Sequence, residues 1–403
     1  MAGGLLQLAA YGPQNLYLTG NPQITFFIAV YKRHTNFSIE SIQQFFHGNI
    51  DFGSKVYCDI APKGDLIHQI FLQVRLPSLN ENPPINEEED NEMDVYGINN
   101  EQNDSEQISG EVNNCFYKYC KPYENEYQVS YVNSIGHAII KNVDIEIGGT
   151  LIDRHYGMWL EIWNQLTQTT EKKYAYDTMI GRHENFNLDT QPGPLNLYIP
   201  FQFWFNRYIG LSLPLISLQY STVRIYVEFR KLEELYVSTD MIPPGLGPEN
   251  NSSLMTSNKL GMTSLWVDYI FLETEERKKF ANCNLEYLID QLQVNTQGVN
   301  ETNYVLPMTF NHPVKELIWV FQTGKLFRDM NIENNNYEFF DFSDGNVPPE
   351  DPFLSGKIRF EGSDRHKERE PEYFRIIQPY QYHTRVPRNY IYLYSFAVKP
   401  EEH

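Results

Sequence analysis

The 403-residue sequence predicts an all-β protein in which one antiparallel β-domain is used twice. The composition pairs 28 Tyr and 25 Phe with 24 Gly and 23 Pro, which favours short strands joined by turns over helices. Apolar residues alternate with polar ones over strand-length windows, the signature of half-buried antiparallel sheet. Three segments also recur in the same order. Ile67 to Leu76 corresponds to Leu317 to Gln322, and Leu197 to Asn206 to Tyr390 to Val398. Between them, Ile145-Glu-Ile-Gly-Gly149 leads to Asp153-Arg154-His155, as Ile358-Arg-Phe-Glu-Gly362 leads to Asp364-Arg365-His366.

The chain opens with an arm, 1–24, whose stretch Leu5 to Pro22 is moderately apolar without a clear period. The first β-unit follows over 25–273. Leu66 to Leu76 reads as a strand stopped by Pro77, and Val143 to Ile147 as a second that alternates strictly before Gly148-Gly149. In Tyr156 to Leu166, Trp159 and Trp163 fall at helical spacing. Leu197 to Phe205 and Leu211 to Gln219 read as further strands. Thr222 to Phe229 puts Val223, Ile225, Val227 and Phe229 on one face, and Trp266 to Leu272 completes the set. Two loops interrupt this unit: an acidic one over 81–126 and a Pro-, Gly- and Asn-rich one over 239–263. Glu273 to Phe280 is charged and free of Gly and Pro, so a linker helix is expected over 274–284, with the second unit over 285–403.

Charge narrows the function. Lys+Arg 32 against Asp+Glu 52 gives a net charge of −20, which argues against bulk attraction to nucleic acid or anionic lipid. Eleven of the acids lie between Glu81 and Glu111, a solvated segment too poor in apolar side chains to join a core. No apolar run approaches the ~18 residues of a membrane span, and the amino end lacks a basic n-region, so a cytoplasmic chain is expected. Cys58, Cys115, Cys120 and Cys283 show no C-x-x-C spacing and read as reduced, mostly buried thiols.

Catalytic signatures are missing: there is no G-x-S-x-G, H-E-x-x-H, P-loop or G-x-G-x-x-G. Asp51-Phe-Gly53 stands without the rest of a kinase pattern. The two Asp-Arg-His tripeptides each follow a strand and a Gly-containing turn and read as salt-linked or hydrogen-bonded loops, Asp341-Phe-Ser-Asp-Gly345 as an Asx-type turn, and His34 as a surface or interface residue. No catalytic, cofactor-binding or metal-binding residue is assigned, and no cofactor is expected. A competing reading is a β-sandwich carbohydrate-binding module or glycosidase, in which Trp159, Trp163, Trp204, Trp266 and Trp319 would stack on sugars; the helical and strand settings of the first four suggest packing instead. Sequons occur at Asn36, Asn103, Asn250, Asn251 and Asn300, and an Asn-rich cytoplasmic chain is expected to carry them by chance.

Several segments bear a closer resemblance. Gly3-Gly-Leu-Leu-Gln-Leu8, Tyr17-Leu-Thr-Gly-Asn-Pro-Gln-Ile-Thr-Phe-Phe27 and Tyr31 to Gln44 resemble the amino-terminal signature of the major capsid proteins of nucleocytoplasmic large DNA viruses. The similarity continues through Ile152 to Gly157, Phe203 to Arg207, Leu213 to Tyr220, Leu265 to Leu272, Glu286 to Gln293, Gln378 to Gln381 and Tyr394 to Pro400. The resemblance implies two tandem antiparallel jelly-roll sandwiches, a homotrimer forming a pseudo-hexagonal capsomer, and capsomers tiling an icosahedral shell with minor capsid proteins. It implies a virion location after assembly in the host cytoplasm, proximity to an internal viral membrane, and no direct nucleic-acid contact. The long loops would face outward, and the arm would order against the capsomer underside or a neighbour. By the internal comparison, the strand Tyr390 to Val398 is followed only by Lys399 to His403, so the second jelly roll is expected to lack about its last two strands.

Overall fold

The computed structural model describes residues 32–79, 129–184, 186, 193–238, 259–299, 301–322 and 339–402 except 345 and 347, together with 3–9, 12–13, 19–21, 23–24 and 29–30. The acidic stretch 81–126, most of loop 239–263, and Cys115 and Cys120 lie outside the described residues.

The arm begins with a helix, α1 (Gly3–Ala9), where no helical period was expected. Tertiary contact holds it: Ser38 Oγ donates to the Gly4 carbonyl at 2.6 Å, and Gly4 N–H donates to Glu40 Oε2 at 2.5 Å. The chain then pairs β1 (Gln23–Ile24) with β2 (Ala29–Val30) and enters the first sandwich.

The sandwich strands are β3 (Phe37–Phe45), β4 (Lys55–Asp59), β5 (Leu66–Leu76), β7 (Ile140–Ile147), β8 (Thr150–Tyr156), β9 (Leu195–Pro200), β10 (Leu213–Pro214), β11 (Val223–Phe229) and β13 (Thr263–Leu272). A small ladder, β6 (Val129–Tyr131) with β12 (Tyr236–Ser238), lies beside them. One sheet has the order β10-β5-β13-β3, with β9 also on β5; the other has the order β4-β11-β7-β8. All pairs are antiparallel. The chain passes back and forth between the sheets, and β3 and β13, the unit's first and last strands, end as neighbours, which is the jelly-roll arrangement.

Alternation sets the core as the sequence suggested. Val223, Ile225, Val227 and Phe229 are buried while Arg224, Tyr226 and Glu228 are half-buried. They join Ile70, Leu72, Val74, Val143, Ile145, Leu265, Val267 and Phe271 in one apolar cluster. Each such side chain contributes roughly 1.5–3 kcal/mol over an exposed one. Cys58 belongs to the same cluster, and burial pushes its thiol up to about 12, so it is inert. Cys283 is exposed, contrary to expectation, because it caps the charged helix α6 (Thr274–Asn282), which has no buried residue.

Two expected strands turn out to be one interrupted edge. β9 pairs with Phe71–Leu76 and β10 with Leu66–Ile67 of the same strand, and between them the chain folds into a helical turn, α5 (Trp204–Arg207). Phe201, Phe203 and Phe205 are buried, as one face of a strand would be, but Trp204 between them is buried too. The turn is pinned where the ladder breaks: His68 Nδ1–H donates to the Phe205 carbonyl at 2.7 Å, and the Asn206 amide donates to the His68 carbonyl. The expected strand Leu211 to Gln219 shortens to Leu213–Pro214 between single helical turns.

The second unit repeats elements of the first. β14 (Glu316–Trp319) pairs antiparallel with β17 (Tyr392–Ser395), as β5 pairs with β9. The hairpin of β15 (Arg359–Phe360) and β16 (Ser363–Asp364) repeats β7–β8. Both hairpins turn through two residues with positive φ, Gly148 (60°) and Gly149 (83°) in one, Glu361 (47°) and Gly362 (84°) in the other, so each pair of repeats shares its turn chemistry. A helix follows each: α3 (Gly157–Thr167) in the first unit, and in the second a π-helical turn, Tyr373–Ile377, that continues into α7 (Gln378–Tyr382). Among the described residues, regular pairing in the second unit is confined to these two ladders.

Candidate interdomain and assembly surfaces

The two units share a core. Side chains of β17 and its flank alternate between them: Ile391 and Leu393 join the first unit's cluster together with Phe340 and Phe342, while Tyr392 and Tyr394 pack with Ile358 and Phe374. Arg385 N–H donates to the Leu166 carbonyl at 2.9 Å, and the Arg230 guanidinium lies 5.2 Å from the Phe339 ring.

At this seam sits the first Asp-Arg-His tripeptide, on β8. Neighbouring strand residues point to opposite faces, so Arg154 parts from Asp153 and His155. Arg154 forks onto Asp144 of β7 at 2.6 and 2.8 Å, the bidentate geometry that suits a guanidinium. On the other face, Asp153 Oδ1 accepts N–H bonds from Arg154 at 2.9 Å and from Leu292 at 3.1 Å, and Gln291 donates to the Ile152 carbonyl at 2.6 Å. The tripeptide thus stitches the second unit's leading segment to the first. His155 Nε2 lies 2.9 Å from Asp153 Oδ2, an ion-pair distance but too oblique for a good hydrogen bond. Burial pushes this imidazole below its usual range despite Asp153, so it is a neutral packing group, stacked 4.6 Å from Phe203. The second tripeptide keeps the turn but changes the partners: Asp364 takes Lys357 at 3.0 Å and Arg359 at 2.8 Å on the surface, and His366 Nδ1–H donates to the Lys367 carbonyl at 2.7 Å. Both are salt-linked or hydrogen-bonded as expected, but the first lies within strand β8 and not in a loop, because Gly148 and Gly149 complete the turn before it.

The tryptophans are packing groups. Trp163 and Trp204 are buried, Trp159 lies 5.3 Å from Trp163, and Trp319 is flanked by Phe374 and Tyr392. Arg207 covers Trp163 at 4.1 Å. None of the five offers an exposed ring for sugar stacking. Asp341 and Asp344 accept the backbone N–H groups of Ser343 and Asn346 at 2.9 and 3.1 Å, the Asx turns expected from sequence. His34 is exposed, 3.8 Å from Glu276. Among the described residues no group of three or more metal-ligating side chains occurs.

Sequence reading missed one cluster. Glu161 on α3 is buried against Arg182, His137 (2.7 Å) and Gln165 (2.8 Å), and His137 Nε2 lies 3.2 Å from the Tyr176 hydroxyl. Burial alone would raise the Glu161 carboxyl; the Arg182 charge and the hydrogen bonds of His137 and Gln165 overcome it and hold the group at about 2.

An open apolar surface lies on the outer face of the β10-β5-β13-β3 sheet. Cross-strand register places Phe37, Ile39, Gln43 and Phe45 of β3 opposite Leu272, Ile270, Trp266 and Ser264 of β13, and Trp266 opposite Phe71 of β5. Tyr198 of β9 joins them through Gln73. Phe45 is 65% exposed, and Phe37, Ile39 and Tyr198 are exposed as well, on a face where an isolated sandwich would carry polar residues. A second apolar surface lies on the extended segment that opens the second unit, where Leu288, Val294 and Val305 are exposed.

The profile of large eukaryotic DNA virus major capsid proteins matches residues 276–403, and that of the major capsid protein N-terminus matches 25–91 and 107–273. The chain belongs to this family of capsid proteins. It is 36% identical to the major capsid protein of Pyramimonas orientalis virus, over 100% of this chain and 87% of that one. It is 34% identical to the major capsid protein of Paramecium bursaria Chlorella virus 1, over 99% and 82% of the two chains. Among solved structures, PBCV-1 VP54, whose crystal structure has been fitted into a cryo-EM reconstruction of the virophage Sputnik, superposes with a TM-score of 0.67 at 28% identity, covering 94% of this chain and 82% of that one. The fold of this capsid protein is therefore the double jelly roll, its place is the virion capsid, and its role is structural, not enzymatic.

Asn36 is half-buried just before β3 and already holds a contact, while Asn103, Asn250, Asn251 and Asn300 lie outside the described residues.

Proposed function

We propose that this capsid protein acts as a homotrimer, three double jelly rolls forming a pseudo-hexagonal capsomer that tiles an icosahedral shell beside minor capsid proteins. Assembly in the host cytoplasm, next to an internal viral membrane, completes the reading. The apolar outer sheet face of Phe37, Ile39, Phe45 and Tyr198 carries it, because a long strand edge with an apolar face is a hazard unless another surface covers it. β3 carries neither lysine nor proline, the residues that usually protect an exposed edge. Ring closure by three copies would bury well over ~1,000 Å² per interface.

Light scattering on the purified chain is expected to give a mass near three times 47.3 kDa. The double substitution Ile39→Glu with Phe45→Glu should yield monomer with the first unit's core intact, because both side chains face outward. A wild type that stays monomeric at micromolar concentration, or a double variant that still forms trimer, would sink the proposal.

Glycan attachment is the finer question, and Asn103, Asn250 and Asn251 are the sites proposed to face outward. The intact mass of virion-derived protein tests this; a mass equal to that of the bare sequence removes the idea.

A further inference from the structure

His383 follows α7, and its imidazole is fully covered from solvent. Nδ1 lies 2.8 Å from Glu401 Oε1 and Nε2 lies 2.9 Å from Glu316 Oε2. A carboxylate only accepts hydrogen bonds, and a neutral imidazole has one N–H and one lone pair. Both contacts can be made together only by the doubly protonated ring. Trp163 of α3 closes the pocket, its ring edge-on at 6.4 Å.

Three segments meet on this ring. Glu316 belongs to β14. Glu401 belongs to the turn 399–402 and also accepts the Thr384 N–H at 2.8 Å and its hydroxyl at 2.5 Å. The segment holding His383 is tied to the first unit by the bond from Arg385 N–H to Leu166. Beside Glu316, the Lys315 ammonium donates to the Glu402 carbonyl and to Asp290, both at 3.1 Å, while its carbonyl accepts Phe396 N–H at 2.9 Å and Ala397 N–H at 3.1 Å. On the far side of Trp163, Arg207 stacks on the indole, lies 4.0 Å from Asp290 and feels the Glu316 charge.

We propose that His383 is a proton-held latch: it clamps β14 and the turn 399–402 against the first unit while both ring nitrogens carry protons, and releases them when alkali removes one. With the proton gone, one nitrogen presents a lone pair to a carboxylate, and that contact turns repulsive. Burial by itself would push the imidazole down, but the hydrogen bonds and charges of Glu316 and Glu401 bring it up to about 9. A basic group raised in the folded state lends stability that is whole below its free value of about 6.5 and lost as pH rises through about 9. The latch is therefore closed at neutral pH and opens in mild alkali. This device is independent of how many copies assemble.

The test follows the His ring resonances of the full chain by NMR between about pH 6 and pH 10, with trypsin cleavage after Lys315 normalised to a reference peptide. Expected is one ring, missing in His383→Gln, that titrates near pH 9, and cleavage that accelerates about tenfold per pH unit between about pH 6.5 and 9 and levels off above. His383→Gln should cleave fast at every pH. Glu401→Gln removes one carboxylate and should lower the transition by about one pH unit or more, which keeps the test decisive should His383→Gln fail to fold. A ring titrating near 6.5, or cleavage that stays flat between about pH 6.5 and 9, would overturn the latch.

Discussion

Replacing Glu161 with alanine should cost the first jelly roll about 3–5 kcal/mol, because it breaks a buried ion pair with Arg182, removes the acceptor of His137 and Gln165, and leaves a void among them. The isosteric Glu161→Gln keeps the volume and the contact to Gln165 but removes the charge, so it separates packing from electrostatics. A carboxyl held low in the folded state lends stability that is present above its free value, 4.5, and lost as pH falls through about 2. At 1.36 kcal/mol per pH unit, that gap is worth roughly 3 kcal/mol. Acid unfolding of the wild type should therefore steepen below pH 4.5, and Glu161→Gln should lose stability at neutral pH while falling less steeply than the wild type in that window. Urea melts at stepped pH would show it; parallel pH profiles for wild type and Glu161→Gln would exclude the assignment.

What the sequence disclosed, and what it hid, follows from the range of the interactions. β5 runs from Leu66 to Leu76 as its apolar pattern and Pro77 indicated, and the faces of β11 fall as its alternation requires, since both depend on neighbours one or two residues away. The duplicated hairpins were legible because Gly148-Gly149 and Glu361-Gly362 supply the positive φ that their turns need. Phe201, Phe203 and Phe205 misled because a period of two is shared by a strand and by a turn whose aromatic side chains all plug one core. Glu161 with His137, Tyr176 and Arg182, and His383 with Glu316 and Glu401, could not be read at all. The residues that touch are 18 to 67 positions apart in the chain, and no local rule links them. The outer face of β3 was open to reading, since Phe37, Ile39 and Phe45 occupy alternating positions; which face would be outward depended on pairing with β13.

A second severe substitution should be at a residue with no side chain. Gly157 starts α3, where the helix abuts the segment that includes α2 (Ile135–Ala138). A Cβ there would stand 2.1 Å from the His137 carbonyl oxygen and 2.4 Å from that of Ile140. Both obstacles are backbone, and one belongs to the start of β7, so neither can swing aside like a side chain. Relief requires α3 to withdraw, which would unseat Leu160, Trp163 and Leu166 from the core and shift Glu161 off His137. Gly157→Ala should therefore cost at least about 3 kcal/mol, the upper range for overpacking, and lower the melting temperature by roughly 6–12 °C for a unit of this size. Gly149→Ala is the control: its Cβ meets nothing within 4 Å, and its φ of 83° limits the penalty to the conformational strain of an L-residue there, about 1–2 kcal/mol. Calorimetry of the two variants should rank Gly157→Ala well below Gly149→Ala. The reverse order would mean that α3 and β7 can separate without disturbing the core, and that the close approach at Gly157 does not fix the helix onto the sandwich.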